Sequence, residues 1–204
     1  MNGINIKDLS IIGVLSSLAF ALNMFIATLI TPFLGNIGIY AHVGPSLFAS
    51  GVIFIVMLKK VKKSGCFILF GVVFSIMYCF IGLWQMGCVI IPAVFLGEII
   101  LLRNGYNSFF RILIAYTVYG VLFSLHPGFF VWVLGKSGFS KQFPGMFTED
   151  KLNELINNYA SISFTSKVAF FSGVFALVGG VVGVLLYKKY FTEENKTSLF
   201  SKGL

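Results

Sequence analysis

The sequence predicts an all-α integral membrane protein. Its expected form is a bundle of six transmembrane helices with both termini cytoplasmic, plus a short amphipathic helix in the outer loop between the fifth and sixth spans. Three observations predict it. Hydrophobic residues make up 57% of the chain and charged residues 11%, with a mean hydropathy of +0.93, beyond what a soluble domain carries. Several runs of about 17–25 residues hold no charge, the length a bilayer core requires of a helix. The Lys and Arg residues fall between those runs, where topology is written. Barrel strands would alternate over short segments, and no such pattern occurs.

The first span, 9–30, starts after Lys7-Asp8. Gly13, Ser17 and Ala21 recur at intervals of four, with Ser10 a turn earlier. Such a row of small residues lets a second helix approach closely in lipid. The run is too long for a signal-peptide core and lacks an A-x-A-like site, so it is expected to remain in the mature protein. A chargeless loop follows, Thr31 to His42, expected to lie outside. The second span, 43–58, tolerates Pro45 in its first turn and ends at the cluster Lys59, Lys60, Lys62 and Lys63. The third, 65–83, meets the fourth, 86–102, through a tight turn at Trp84-Gln85.

After the segment Arg103 to Arg111 comes the fifth span, 110–134, kinked at His126-Pro127-Gly128 because proline removes a backbone donor. In the long connection 135–166, Thr148 is placed to cap a helix with Glu149 and Asp150 in its first turn. Leu152, Leu155, Ile156 and Tyr159 give that helix an apolar face. The sixth span, 168–187, carries Gly173, Gly179, Gly180 and Gly183, read as internal packing, and ends at Lys188-Lys189. With no repeat or linker visible, residues 1–204 form a single domain.

Six spans put both termini on one side. Counted on that basis, eleven of the fifteen Lys and Arg residues fall inside. Only Lys136, Lys141, Lys151 and Lys167 fall outside, which places the termini in the cytoplasm. The net charge of +8 is therefore a topology signal, and nucleic acid is not an expected partner. Cys66, Cys79 and Cys88 lie within apolar runs without metal or disulfide spacing and are read as buried small hydrophobes.

No Walker A, G-x-S-x-G or H-E-x-x-H motif occurs, nor any paired carboxylates at membrane depth. Catalysis is not expected, and neither a cofactor nor a resident metal is assigned. Two ionisable groups fall at membrane depth, Glu98 and His126. Glu98 either pairs with Arg103 or a neighbouring helix, or meets a cytoplasmic-side partner. His126, at the kink, is either a packing residue or a ligand contact, and with His42 it could converge on one outer pocket. Tyr116, Tyr119 and Ser124 share its helix. An aromatic pocket with a few polar groups is the usual form of a small-molecule site.

With this length, these spans, the small-residue face and the Tyr40-Ala-His-Val-Gly-Pro45 and His126-Pro-Gly128 stretches, the chain resembles the S components of energy-coupling-factor (ECF) transporters. It is closest in character to the Trep_Strep or MptD-like subgroup. The resemblance covers nearly the whole chain. It implies a subunit that binds a vitamin or other micronutrient with high affinity near the outer face, with the first loop closing over it. It also implies docking on a transmembrane T component driven by two cytoplasmic ATPases. By location it carries substrate binding to Asn36, Tyr40, His42, Trp84, Gln85, Tyr119, His126 and Trp132. It carries partner docking to Gly13, Ser17 and Ala21, a face that departs from the family's strict alanine pattern but keeps the small-residue physics. Two rivals stand beside it. A stand-alone secondary transporter would show inverted repeats and paired broken helices. A haem- or metal-binding membrane protein would use the two histidines.

Overall fold

A computed structural model describes residues 3–34, 38–145 and 148–191. Among these residues the regular structure is helical throughout. The order is α1 (Ile6–Leu34), a single turn α2 (Gly38–Ala41), α3 (Val43–Val61), α4 (Cys66–Phe80), α5 (Met86–Leu101), a 3-10 turn (Gly105–Asn107), α6 (Phe109–Phe123), α7 (His126–Gln142), α8 (Glu149–Ala160) and α9 (Ile162–Phe191). The segments Ile6–Thr31, Val43–Val61, Phe109–Gln142 and Ile162–Phe191 are long and apolar enough to cross a membrane, while Cys66–Phe80 and Met86–Leu101 are shorter apolar helices.

Helix α3 is the axis of the bundle, gripped by α1 on one side and α9 on the other. Toward α1 the grip is polar and close. Ser50 and Ser46 donate to the carbonyls of Ala19 and Asn23, both at 3.4 Å. Toward α9 it is made by glycine. A Cβ at Gly179 would stand 2.3 Å from the Phe48 carbonyl oxygen, and one at Gly183 would stand 3.0 Å from the Val52 Cα. The expected internal role of the α9 glycines is what the structure shows. A continuous aromatic core fills the middle. Tyr116 stacks on Phe54 at 4.5 Å and Tyr119 on Phe123 at 5.6 Å, while Phe67 and Phe70 close on Tyr119 edge-on.

One end of the bundle is rich in lysine. The start of α1 meets the end of α3 through the Lys63–Asp8 ion pair. The end of α9 meets the same place through Tyr187, whose hydroxyl donates to the Lys59 carbonyl at 3.5 Å. Arg111 donates to the carbonyls of Ile100, Leu102 and Arg103, capping the end of α5. Glu98 lies here as well, but it does not pair with Arg103. It accepts from the Tyr106 hydroxyl at 2.6 Å, the Gly65 amide at 2.8 Å and the Ser64 hydroxyl at 3.1 Å. Three donors offset the cost of burying a carboxylate.

The expected elements differ from the observed ones in several places. The fifth span is two helices. The chain breaks at Ser124-Leu125, so Pro127 stands in the first turn of α7, where its missing amide costs nothing. A second break at Gly135 (φ 62°) ends the apolar part of α7, at the expected end of the span. Much of the loop Thr31 to His42 is helical, because α1 runs on to Leu34 and α2 leads directly into α3. Helix α4 stops at Phe80, since Gly82 (φ 83°) lets the Leu83 and Gly82 amides bond back to the Tyr78 and Cys79 carbonyls. Helix α9 begins at Ile162, six residues earlier than expected. There the Ser161 hydroxyl accepts from the Phe164 amide at 3.4 Å. Finally, Cys66 is buried, but Cys79 and Cys88 face outward, having fallen on the outer faces of α4 and α5.

Candidate functional site

At the end opposite the lysines, the chain's two histidines meet. His42 lies between α2 and α3, and His126 is the first residue of α7. Their ring centroids are 6.1 Å apart, and both side chains are partly exposed. Each ring is fixed by the backbone. His126 Nδ1 lies 2.7 Å from the Phe123 carbonyl, which is the acceptor that Pro127 leaves without its usual amide four residues on. His42 Nδ1 lies 2.9 Å from the Gly38 carbonyl. Burial pushes the His42 imidazole below its ordinary pKa, with the Gly38 hydrogen bond acting the other way.

The floor of this site is the aromatic core, since Phe123 stands 4.9 Å from the His126 ring and leads down to Tyr119. The roof is built by α8 and the neighbouring turns. Thr148 caps α8, accepting from the Lys151 amide at 3.4 Å, and Leu152, Leu155 and Tyr159 form its buried face. Tyr159 packs against Gly128, where a Cβ would fall 2.6 Å from its ring. The Tyr159 carbonyl accepts from the Trp132 indole at 3.2 Å. Tyr40 closes the other side, accepting from Asn158 at 3.0 Å and meeting Phe164 edge-on at 4.9 Å. The Tyr159 hydroxyl is buried with no hydrogen-bond partner among the described residues. Beside the roof runs a groove of about 250 Å3 between the starts of α3 and α9, bordered by Tyr40, Phe164, Lys167, Phe171 and Phe175.

The structure thus brings Tyr40, His42, His126 and Trp132 together, whereas Tyr119 is buried in the core beneath Phe123. Trp84 and Gln85 lie elsewhere. Trp84 is 62% exposed, and Gln85 is tied to Gln142 at the far end of α7 at 3.2 Å. Asn36 lies outside the described residues. Two hydroxyls near the site are already engaged, Tyr116 with the Leu47 carbonyl at 2.7 Å and Ser124 with the Val121 carbonyl at 2.7 Å. Sequence reasoning missed Asn158, Tyr159 and Phe164 as site residues. Tyr159 was legible only as part of the apolar face of α8, because nothing in the spacing says which surface that face covers.

The second feature is on α1. Ile12, Ser16, Ala19 and Asn23 are buried against the bundle. Gly13 and Ser17 are partly exposed and Ala21 is exposed, flanked by the exposed Val14, Leu18 and Phe25. A Cβ at Gly13 would meet no atom within 4 Å. The small-residue row therefore faces away from the chain's own helices.

Residues 6–193 match the family described as "Hypothetical bacterial integral membrane protein (Trep_Strep)". The chain belongs to the Trep_Strep family. Like that family, it is a multi-pass integral membrane protein, as its long apolar helices require. No curated protein and no solved structure matches this Trep_Strep chain significantly.

Proposed function

We propose that the protein is the substrate-capturing subunit of an ECF-type importer. In this reading six spans cross the cell membrane with the lysine-rich end inside. The histidine site collects a small micronutrient near the outer face, and the row Gly13, Ser17 and Ala21 docks on a T component that two ATPases drive. The protein itself catalyses nothing.

The outward row on α1 carries the reading. A helix with one face satisfied by its own bundle has no internal use for small residues on the opposite face, whereas a partner helix in lipid does. The open space at Gly13 also makes the test clean. Gly13→Leu adds bulk where no neighbour stands, so the fold is expected to survive with its melting temperature unchanged. Tagged wild-type protein from its native membrane should bring down a T component and two ATPases, and Gly13→Leu should lose them. Equal recovery of those subunits by both proteins overturns the docking role.

A further inference from the structure

The chain has two histidines in all, and the fold sets them side by side from positions 42 and 126. Their shared tautomer follows from geometry. Each Nδ1 faces a backbone carbonyl at hydrogen-bond distance, and a carbonyl only accepts. Nδ1 is therefore the donor in each ring, which leaves Nε2 as the nitrogen available to an ion. A backbone carbonyl on the remote nitrogen is also how metal-binding imidazoles are commonly oriented.

The spacing agrees. Two imidazoles that share one ion at about 2.0–2.1 Å per bond hold their ring centroids roughly 5–6.5 Å apart. The observed separation is 6.1 Å. No carboxylate or thiolate joins the pair, for among the described residues no group of three or more His, Cys, Asp and Glu could hold an ion. Imidazole without carboxylate suits the late first-row metals and does not suit magnesium or calcium. A two-nitrogen site also leaves coordination positions for whatever accompanies the metal.

We propose that His42 and His126 together ligate a first-row transition metal at the capture site, so that the cargo is metal-bearing. The metal arrives either as the ion or inside an organic chelate. This assignment rests on the capture-subunit reading and names its substrate class.

The test uses the full chain, purified in detergent without a polyhistidine tag, so that no other imidazole is present. One arm titrates Cu2+ alone and reads nitrogen hyperfine structure by electron paramagnetic resonance. The other titrates iron protoporphyrin, a planar chelate that leaves two positions open, and reads the visible spectrum. One equivalent bound in the first arm, with two imidazole nitrogens, supports the free ion. A bis-imidazole spectrum in the second supports a chelated metal. In the arm that binds, His42→Ala and His126→Ala should each weaken binding at least tenfold while the melting temperature holds. Gln replacements at the two positions repeat the measurement should alanine unfold the protein. Failure of both probes, or unchanged binding by the double variant, overturns the proposal. Gly13→Leu separates the two readings. If it strips the T component while no metal binds, only the cargo class fails. If metal binds but Gly13→Leu keeps its partners, the importer reading fails and the metal site stands.

Discussion

At the scale of single residues, Glu98 and the histidine pair hold polar groups within an apolar bundle by different means. Glu98 is held by three donors from two separate stretches, Ser64-Gly65 and Tyr106. Tyr106 is tied in further, accepting from the Phe67 amide at 3.3 Å, and burial together with the Glu98 hydrogen bond raises its phenol pKa well above the ordinary value. Replacing the carboxylate strands a phenol, a hydroxyl and an amide. Glu98→Leu is therefore expected to destabilise the protein by about 1–3 kcal/mol, the usual cost of unpaired buried donors. Glu98→Gln, which keeps one acceptor oxygen, should cost less. Thermal unfolding in detergent reads both, and a Leu variant as stable as wild type would rule out the clamp. The sequence showed that Glu98 needs a partner. It offered Arg103, a neighbouring helix or a cytoplasmic-side partner, and the donors instead come from the turns beside α4 and α6, whose positions depend on the whole bundle. The same limit applied to the histidines. Their kink and loop were visible, and so was the freeing of carbonyls by the proline, but not that one of those carbonyls orients the His126 ring.

At the scale of elements, α1 and α9 carry small residues at the same interval and put them to opposite uses. Spacing alone does not separate them, because an inward row and an outward row have the same period. Neighbours decide. At Gly179 a Cβ would enter the Phe48 backbone, while at Gly13 it would enter open space. Gly179→Ala should therefore force α3 and α9 apart and cost about 1–3 kcal/mol, as overpacking does. Gly13→Ala should be neutral or stabilise by up to about 1 kcal/mol, since glycine inside a helix is costly. Melting temperatures of the two single variants check the pair, and equal effects would contradict the stated orientations. Helix interiors were readable from hydropathy, and α8 was readable from its cap and apolar face. Helix ends were harder. Polar residues at 136–142 and 161–167 looked like loop, yet they extend α7 and begin α9, because Ser161 supplies a cap and a helix that leaves the apolar zone can carry polar residues.

At the scale of the molecule, the open question in the topology is whether α4 and α5 cross the membrane. They have 15 and 16 residues, or roughly 22–24 Å at 1.5 Å per residue, against a hydrocarbon core of about 30 Å. Two arrangements fit the length. The hairpin either dips in from the lysine-rich side and turns within the bilayer, or it crosses with local thinning. Hydrogen bonds at its tip favour crossing. Gln142 donates to the Gly82 carbonyl at 2.9 Å and accepts from Gln85 at 3.2 Å. That fixes the tip to the polar end of α7, which carries Lys136 and Lys141. Two lysines within a turn or two of the tip are too costly to hold at mid-bilayer, so a tip at the far surface is the expected arrangement. Trp84 is exposed there. In a background with Cys66, Cys79 and Cys88 replaced by alanine, Trp84→Cys and Lys151→Cys should both react with a membrane-impermeant maleimide in intact cells. Lys62→Cys should react only after the membrane is opened. Labelling at 151 without labelling at 84 would show a hairpin buried in the bilayer and reduce the crossings to four.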